Sequence, residues 1–114
     1  MGKLTMDRGT TFTIGLAYKK NGVPESLVGA IVRFTVKNAE FDSDVTDTTA
    51  IISKNVTNGD VNGLATILLE PEDTATIIPN KYYYDIKVEQ ADGEIYKVDE
   101  GTLKIDGSPT NRIT

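Results

Sequence analysis

The side chains that could carry out chemistry in this 114-residue chain are restricted, because the sequence contains no cysteine and no histidine. That composition excludes Ser-His-Asp and Cys-His catalysis, zinc sites of the usual ligand set and a disulfide framework. The chain must therefore be held together by packing alone. Any reaction would have to depend on carboxylate, lysine or tyrosine chemistry.

An acidic stretch, 38–49, places Asp42, Asp44 and Asp47 among serines and threonines. Carboxylate oxygens at such a spacing could bind calcium. An EF-hand loop, however, would need a glycine where Asp47 stands and a glutamate where Ser53 stands. The sequence therefore favours a solvated acidic loop, and we expect no metal site and no cofactor.

Two pairs of neighbouring carboxylates, Glu70 with Asp73 and Asp99 with Glu100, could serve glycoside hydrolysis if each pair were held about 5 to 9 Å apart. Cap and turn positions explain both pairs more simply, and the chain has no tryptophan to stack on a sugar. We therefore expect no catalytic residues and a protein that is not an enzyme.

Three consecutive tyrosines stand in the clearest strand pattern of the chain. Tyr82 and Tyr84 share one parity with Ile86 and Val88, which is typical of a half-buried strand, so Tyr83 must lie on the opposite face. An outward tyrosine offers contact area with a polar tip, as at interfaces and sugar platforms. Tyr83 is the interface candidate, although ordinary surface is an equally good interpretation.

The elements that would position these residues are short strands separated by turn sequences such as Asn21-Gly22 and Asp92-Gly93. Strand patterns cover 11–18, 30–37, 50–56, 64–69, 81–89, 95–98 and 102–105. The run 64–69 is apolar on both parities, which predicts a strand covered on both faces or close to a second layer. One short helical turn is expected near 71–77, between Pro71 and Pro79.

Length and composition predict one soluble domain, 1–114, with 39% hydrophobic and 25% charged residues. The formal charge is −5 and the lysines are scattered, which argues against nucleic acid as a partner. No apolar run reaches the roughly 20 residues that a membrane helix needs, and the first residues lack the apolar core of a signal peptide. We therefore expect no membrane partner and synthesis in the cytoplasm.

The segment from Leu69 to Thr76, followed by Tyr82-Tyr83, resembles the corner before strand F of immunoglobulin-like domains, in which an acidic-Thr-Ala turn precedes a tyrosine strand. The resemblance implies a corner tyrosine at Tyr82 or Tyr84. The chain lacks the cysteine and the tryptophan of antibody domains and carries an insertion at 77–81, so only the sandwich geometry is implied. The expected fold is all-β, a single immunoglobulin-like antiparallel β-sandwich of about seven strands.

Sequence elements along nearly the whole chain match a second outline. They are Arg8-Gly9-Thr10, Asn21-Gly22-Val23-Pro24, Leu27-Val28-Gly29-Ala30, Val32-Arg33-Phe34, Asp73-Thr74, Tyr82 to Ile86 and Gly101 to Ile105. In these the chain is similar to small β-sandwich proteins of tailed-phage virions, such as the N-terminal domain of baseplate upper proteins. All of them are turn and strand sequences rather than site residues.

The phage resemblance implies a non-enzymatic structural or assembly module of the virion, located in the tail, in the baseplate or on the head. It would be made in the bacterial cytoplasm and would dock onto other phage structural proteins, with self-association also open. The alternative is a carbohydrate-binding or adhesion β-sandwich, for which a glycan would be the partner.

Overall fold

The computed structural model describes residues 2–38 and 50–107, and strands dominate both ranges. In chain order the elements are β1 (Gly2–Asp7), β2 (Phe12–Ala17), β3 (Lys19–Lys20), β4 (Val23–Pro24), β5 (Ile31–Lys37), β6 (Ile52–Val56), β7 (Leu64–Leu69), α1 (Pro71–Thr74), β8 (Asn80–Glu89) and β9 (Ile95–Asp106). One sheet has five strands in the order β1-β9-β8-β5-β6, a second consists of β2 and β7, and β3 pairs with β4.

This strand order makes the protein an immunoglobulin-like β-sandwich, which confirms the expected fold class. The corner tyrosine is Tyr82, whose hydroxyl donates a hydrogen bond to the backbone carbonyl of Ile78. Two details differ from the expectation: the chain begins with an additional strand, β1, and this strand pairs with β9 in parallel. The sequence of β1 has few apolar residues because only one of its faces meets the core.

The core lies between the two sheets, and the tyrosine strand β8 is at its centre. Tyr82, Tyr84, Ile86 and Val88 are all buried, as their shared parity predicts. The ring of Phe34 on β5 lies 5.7 Å from that of Tyr84, centroid to centroid, in a tilted arrangement. Packing against neighbours on both sides therefore holds β8 in register.

The two predicted strands 95–98 and 102–105 are in fact one continuous strand, β9, so that prediction is wrong. Gly101 does not interrupt the strand. A Cβ at Gly101 would lie 1.9 Å from the backbone oxygen of Gly2, so this glycine permits the close approach of β1. An irregularity in register at Ile86/Lys87 of β8 accommodates the longer partner strand.

The prediction that 64–69 is covered on both faces is also wrong. Burial alternates along β7, and Leu64 and Leu68 remain 51% and 43% exposed. The physical reason is the layer arrangement: β2 and β7 form the outer layer, and no element of the described residues covers their outward side.

The corner between the sheets contains α1, one turn that is shorter than the predicted 71–77. Glu70 is its N-cap residue, and Asp73 in the first turn accepts a hydrogen bond from the backbone N–H of Glu70 at 2.7 Å and pairs with Lys54 at 2.9 Å. Thr74 is fully buried, and its hydroxyl accepts a hydrogen bond from the N–H of Gly9 at 2.8 Å. The corner is thereby tied to the turn that follows β1.

Candidate docking surfaces

Tyr83 lies on the outward face of the five-stranded sheet and is half-buried. Its neighbours in register are Lys37 on β5 and Thr102 on β9. The outward side chains around it are mostly charged, and they include Lys3, Arg33, Lys81, Asp85, Lys87 and Lys104. Tyr83 is therefore a ring surrounded by charged side chains, and its role in an interface stays a prediction.

The carboxylates that could have formed an acid–base pair have separate structural partners. Asp99 accepts a hydrogen bond from the Tyr84 hydroxyl at 3.0 Å, whereas Glu100 pairs with Lys97 at 2.6 Å. Burial, reinforced by the Asp99 carboxylate, raises the pKa of Tyr84 to about 12. The hydrogen bond from Lys97 and its positive charge lower the pKa of Glu100. The first interaction keeps the Tyr84 hydroxyl protonated, and the second keeps Glu100 ionised. Neither group is thereby prepared to act as a general acid.

The calcium candidates Asp42, Asp44 and Asp47 lie outside the described residues. Within the described ranges, no group of three or more metal-binding side chains is placed to hold an ion. No helix in those ranges is long and apolar enough to cross a membrane.

The outward side of the small sheet is an uncharged area of strand surface. We call it the β2–β7 face, and its side chains are Thr13, Gly15, Ala17, Leu64, Thr66 and Leu68. None of them is charged, although charged residues make up 25% of the chain. Both leucines are exposed, and a Cβ added at Gly15 would meet no atom within 4 Å. A partner could therefore approach this face closely without desolvating a charge.

The free edge of β7 is covered by polar side chains. Asn58 donates to the carbonyl of Thr66 at 2.9 Å and accepts from its N–H at 3.2 Å. The carboxylate of Asp60 accepts a hydrogen bond from the N–H of Leu64 at 3.0 Å. The backbone N–H of Asp60 donates a hydrogen bond to the carbonyl of Leu64, also at 3.0 Å. These contacts occupy backbone groups that could otherwise pair with another strand.

No described residue covers the opposite edge of the small sheet, along β2, in this way. The bonds at Leu64 and Thr66 show that the backbone groups of these residues point away from β2. Ala17 and Gly15 are the partners of Leu64 and Thr66 in the antiparallel register, so the backbone N–H and C=O groups of Ala17 and Gly15 point away from β7. No strand in the described ranges pairs with this edge. The two edges of the small sheet thus differ: β7 is protected and β2 is open.

A cleft of about 580 Å³ lies beside the C-terminal end of β2. It runs between the segment 17–21 and the strand β9, and the lining residues are Ala17, Tyr18, Lys19, Lys20, Asn21, Tyr96, Lys97 and Val98. The lining includes three lysines and no carboxylate, in a chain whose formal charge is −5. The cleft is therefore lined by lysines, two of which, Lys20 and Lys97, pair with the nearby carboxylates of Glu25 and Glu100.

The exposed tyrosine of the cleft is Tyr96, at 38% exposure. The ammonium of Lys20 lies 4.8 Å from the centre of its ring, and its hydroxyl donates to Glu94 at 2.5 Å. That hydrogen bond is the main reason why the pKa of Tyr96 is raised to about 12. Because Lys20 already covers one side of the ring, only the other side can stack on a ligand.

Sequence reasoning did not identify the β2–β7 face or the Tyr96 cleft. The signal for the face was present in the run 64–69, whose apolar residues at both parities mark either a covered strand or an exposed apolar surface. Tyr96 stands in the short pattern 95–98, in which nothing distinguishes a cleft residue from an ordinary strand residue.

No protein-family model matches this chain, and no curated protein is similar to it. Among solved structures, murine CRIg aligns over 93% of this chain and 92% of its own with 12% identity and a TM-score of 0.39. A structure from photo-crosslinking analyses of multimeric cell-adhesive interactions of VGSC beta subunits aligns over 96% and 93%, with 10% identity and a TM-score of 0.44.

Proposed function

We propose that this protein is a non-enzymatic docking module that binds a partner protein through the β2–β7 face. The observation that carries the proposal is the exposure of Leu64 and Leu68 on an uncharged surface. Both leucines are already about half-buried, so covering the rest of each side chain supplies about half of the roughly 1.5 to 3 kcal/mol that burying a fully exposed leucine gives. The outward face of the other sheet offers a charged surface that includes the ring of Tyr83.

The finer proposal places the module in a tailed-phage virion, in the tail, in the baseplate or on the head, with other structural subunits as partners. It is supported by the resemblance of the turn and strand sequences to small virion sandwich proteins. Mass spectrometry of purified particles tests it directly. Recovery of the protein at a fixed ratio to known structural proteins is expected, whereas absence from particles together with a metabolic gene neighbourhood would contradict it.

The docking surface itself is tested by charge insertion. Leu68→Lys should leave the melting temperature nearly unchanged, since the side chain is already 43% exposed, but should reduce association with the partner. The matched control is Thr35→Lys on the outward side of the other sheet, which adds the same charge. If both variants assemble normally, the β2–β7 face is not the docking surface.

A second candidate function, carbohydrate binding or adhesion, is favoured by Tyr96 in its cleft. The ring is 38% exposed, and Lys20 and Gln90 stand close by, joined at 3.3 Å. This candidate predicts saturable binding on a glycan array that Tyr96→Ala abolishes and Tyr83→Ala retains. A blank array would leave docking to protein as the function.

A further inference from the structure

We propose that the free edge of β2 accepts one extended strand from a partner protein, which becomes the third strand of the small sheet. The inference rests on the proposed docking function and specifies where the backbone of the partner is recognised. Its basis is the contrast between the covered edge of β7 and the open edge of β2 in the described residues.

The open edge presents backbone groups in the pattern that strand addition requires. The backbone N–H and C=O groups of Thr13, Gly15 and Ala17 point away from β7, in the plane of the sheet. These residues stand opposite Leu68, Thr66 and Leu64 in the register. β2 carries no charged side chain, in contrast to the two edge strands of the five-stranded sheet, β1 with Lys3 and β6 with Lys54. Charged residues are a usual device against edge pairing, and β2 lacks it.

A strand added to this edge would lie over the five-stranded sheet. The two sheets come closest where β7 passes β6, so the free edge of β2 faces towards β9 and β1. Along that side Leu4 of β1 and Val98 of β9 are only partly buried. An added strand would cover them with alternate side chains. A second copy pairing through its own β2 would instead bring its own β1 and β9 into the same space.

The chemistry of the partner strand follows from its surroundings. Residues directed inward should be apolar, to contact Val98, and residues directed outward should be small, to match Thr13, Gly15 and Ala17. At one end the strand reaches the cleft with Lys19, Lys20 and Lys97. Lys20 and Lys97 are paired with Glu25 and Glu100, at 4.0 and 2.6 Å. Lys19 is exposed, and an acidic residue of the partner would meet it there.

Amide hydrogen exchange in the free protein is the first test. The amides of Ile14 and Leu16 point to β7 and should be protected, whereas those of Thr13, Gly15 and Ala17 should exchange at least about tenfold faster. Protection of these three amides at every concentration would mean that the chain covers its own edge. Protection that grows with protein concentration would mean that a second copy does. Either result overturns the inference.

Peptide binding is the second test. The probes are blocked peptides of about eight residues that alternate valine and threonine. Two versions carry a pair of aspartates, one at the N-terminal and one at the C-terminal end. In the control peptides a pair of lysines replaces the aspartates. One aspartate version should bind saturably, protect the amides of Thr13, Gly15 and Ala17, and lose about tenfold in affinity with lysine in its place. Absence of binding by both aspartate versions would overturn the proposal.

Gly15→Pro removes the amide at the centre of the free edge without removing a bond to β7, and should weaken peptide binding by about tenfold. Gly15→Ala is the matched control, because it keeps the amide and its Cβ meets no atom. Ala17→Pro repeats the test if Gly15→Pro does not fold. Normal peptide binding by a folded proline variant overturns the inference. Loss of docking by Leu68→Lys in a protein that binds no peptide would retain the proposed function and reject this strand addition.

Discussion

Asn58 occupies the backbone of Thr66 with both ends of its side-chain amide, as a neighbouring strand would. The side chain thereby ends the small sheet at β7, and the corresponding position on β2, Gly15, has no equivalent in the described residues. This asymmetry separates a protected edge from an edge available to a partner.

Removing this cover should expose the edge of β7. Asn58→Ala is expected to lower the free energy of unfolding by about 1 to 2 kcal/mol, since two hydrogen bonds are lost at an exposed site. It should also increase self-association in sedimentation velocity experiments. Asn55→Ala, at another exposed asparagine, is the control. Equal behaviour of the two variants would show that the Asn58 contacts do not protect the edge.

The parity of the tyrosine strand predicts contrasting effects of two alanine substitutions. Tyr84→Ala should cost about 3 to 5 kcal/mol, because the ring is buried against Phe34. Lys87→Ala, on the opposite face, should cost under about 0.5 kcal/mol. Chemical denaturation measures both, and small, equal effects would contradict the assignment of the faces.

The hydroxyl of Tyr82 should contribute to stability through the corner. Tyr82→Phe keeps the ring and removes the hydrogen bond to the Ile78 carbonyl, so we expect a loss of about 1 kcal/mol. Tyr83→Phe removes the same hydroxyl from the half-buried outward ring and should have a smaller effect. If the two substitutions were equivalent, the corner bond would carry no net stabilisation.

The raised pKa of Tyr84 predicts a loss of stability at alkaline pH. Because the folded-state pKa, about 12, lies above the ordinary value of 10.0, this group stabilises the fold fully below pH 10, and the contribution is lost as the pH rises towards 12. Tyr84→Phe should flatten the decline of unfolding free energy in that window. If the unfolding free energy of Tyr84→Phe fell as steeply with pH as that of the original protein, the loss of stability would come from groups other than Tyr84.

The sandwich, the corner and the burial of Tyr82 and Tyr84 could be predicted from sequence because strand periodicity and turn residues are local signals. The pairing of β1 with β9 could not, since it depends on Gly2 and Gly101 approaching across the whole length of the chain. The exposure of Leu64 and Leu68 was hidden for a similar reason. An apolar strand has the same pattern whether or not a further layer covers it, and only the layer arrangement decides.

The most direct test of docking through the β2–β7 face is hydroxyl-radical footprinting of the protein, free and assembled with its partner. Oxidation of Leu64 and Leu68 should fall strongly on assembly, while oxidation of Tyr83 on the opposite sheet stays the same. The contrary pattern, with Tyr83 protected and both leucines as reactive as in the free protein, would place the docking surface on the five-stranded sheet and contradict this account.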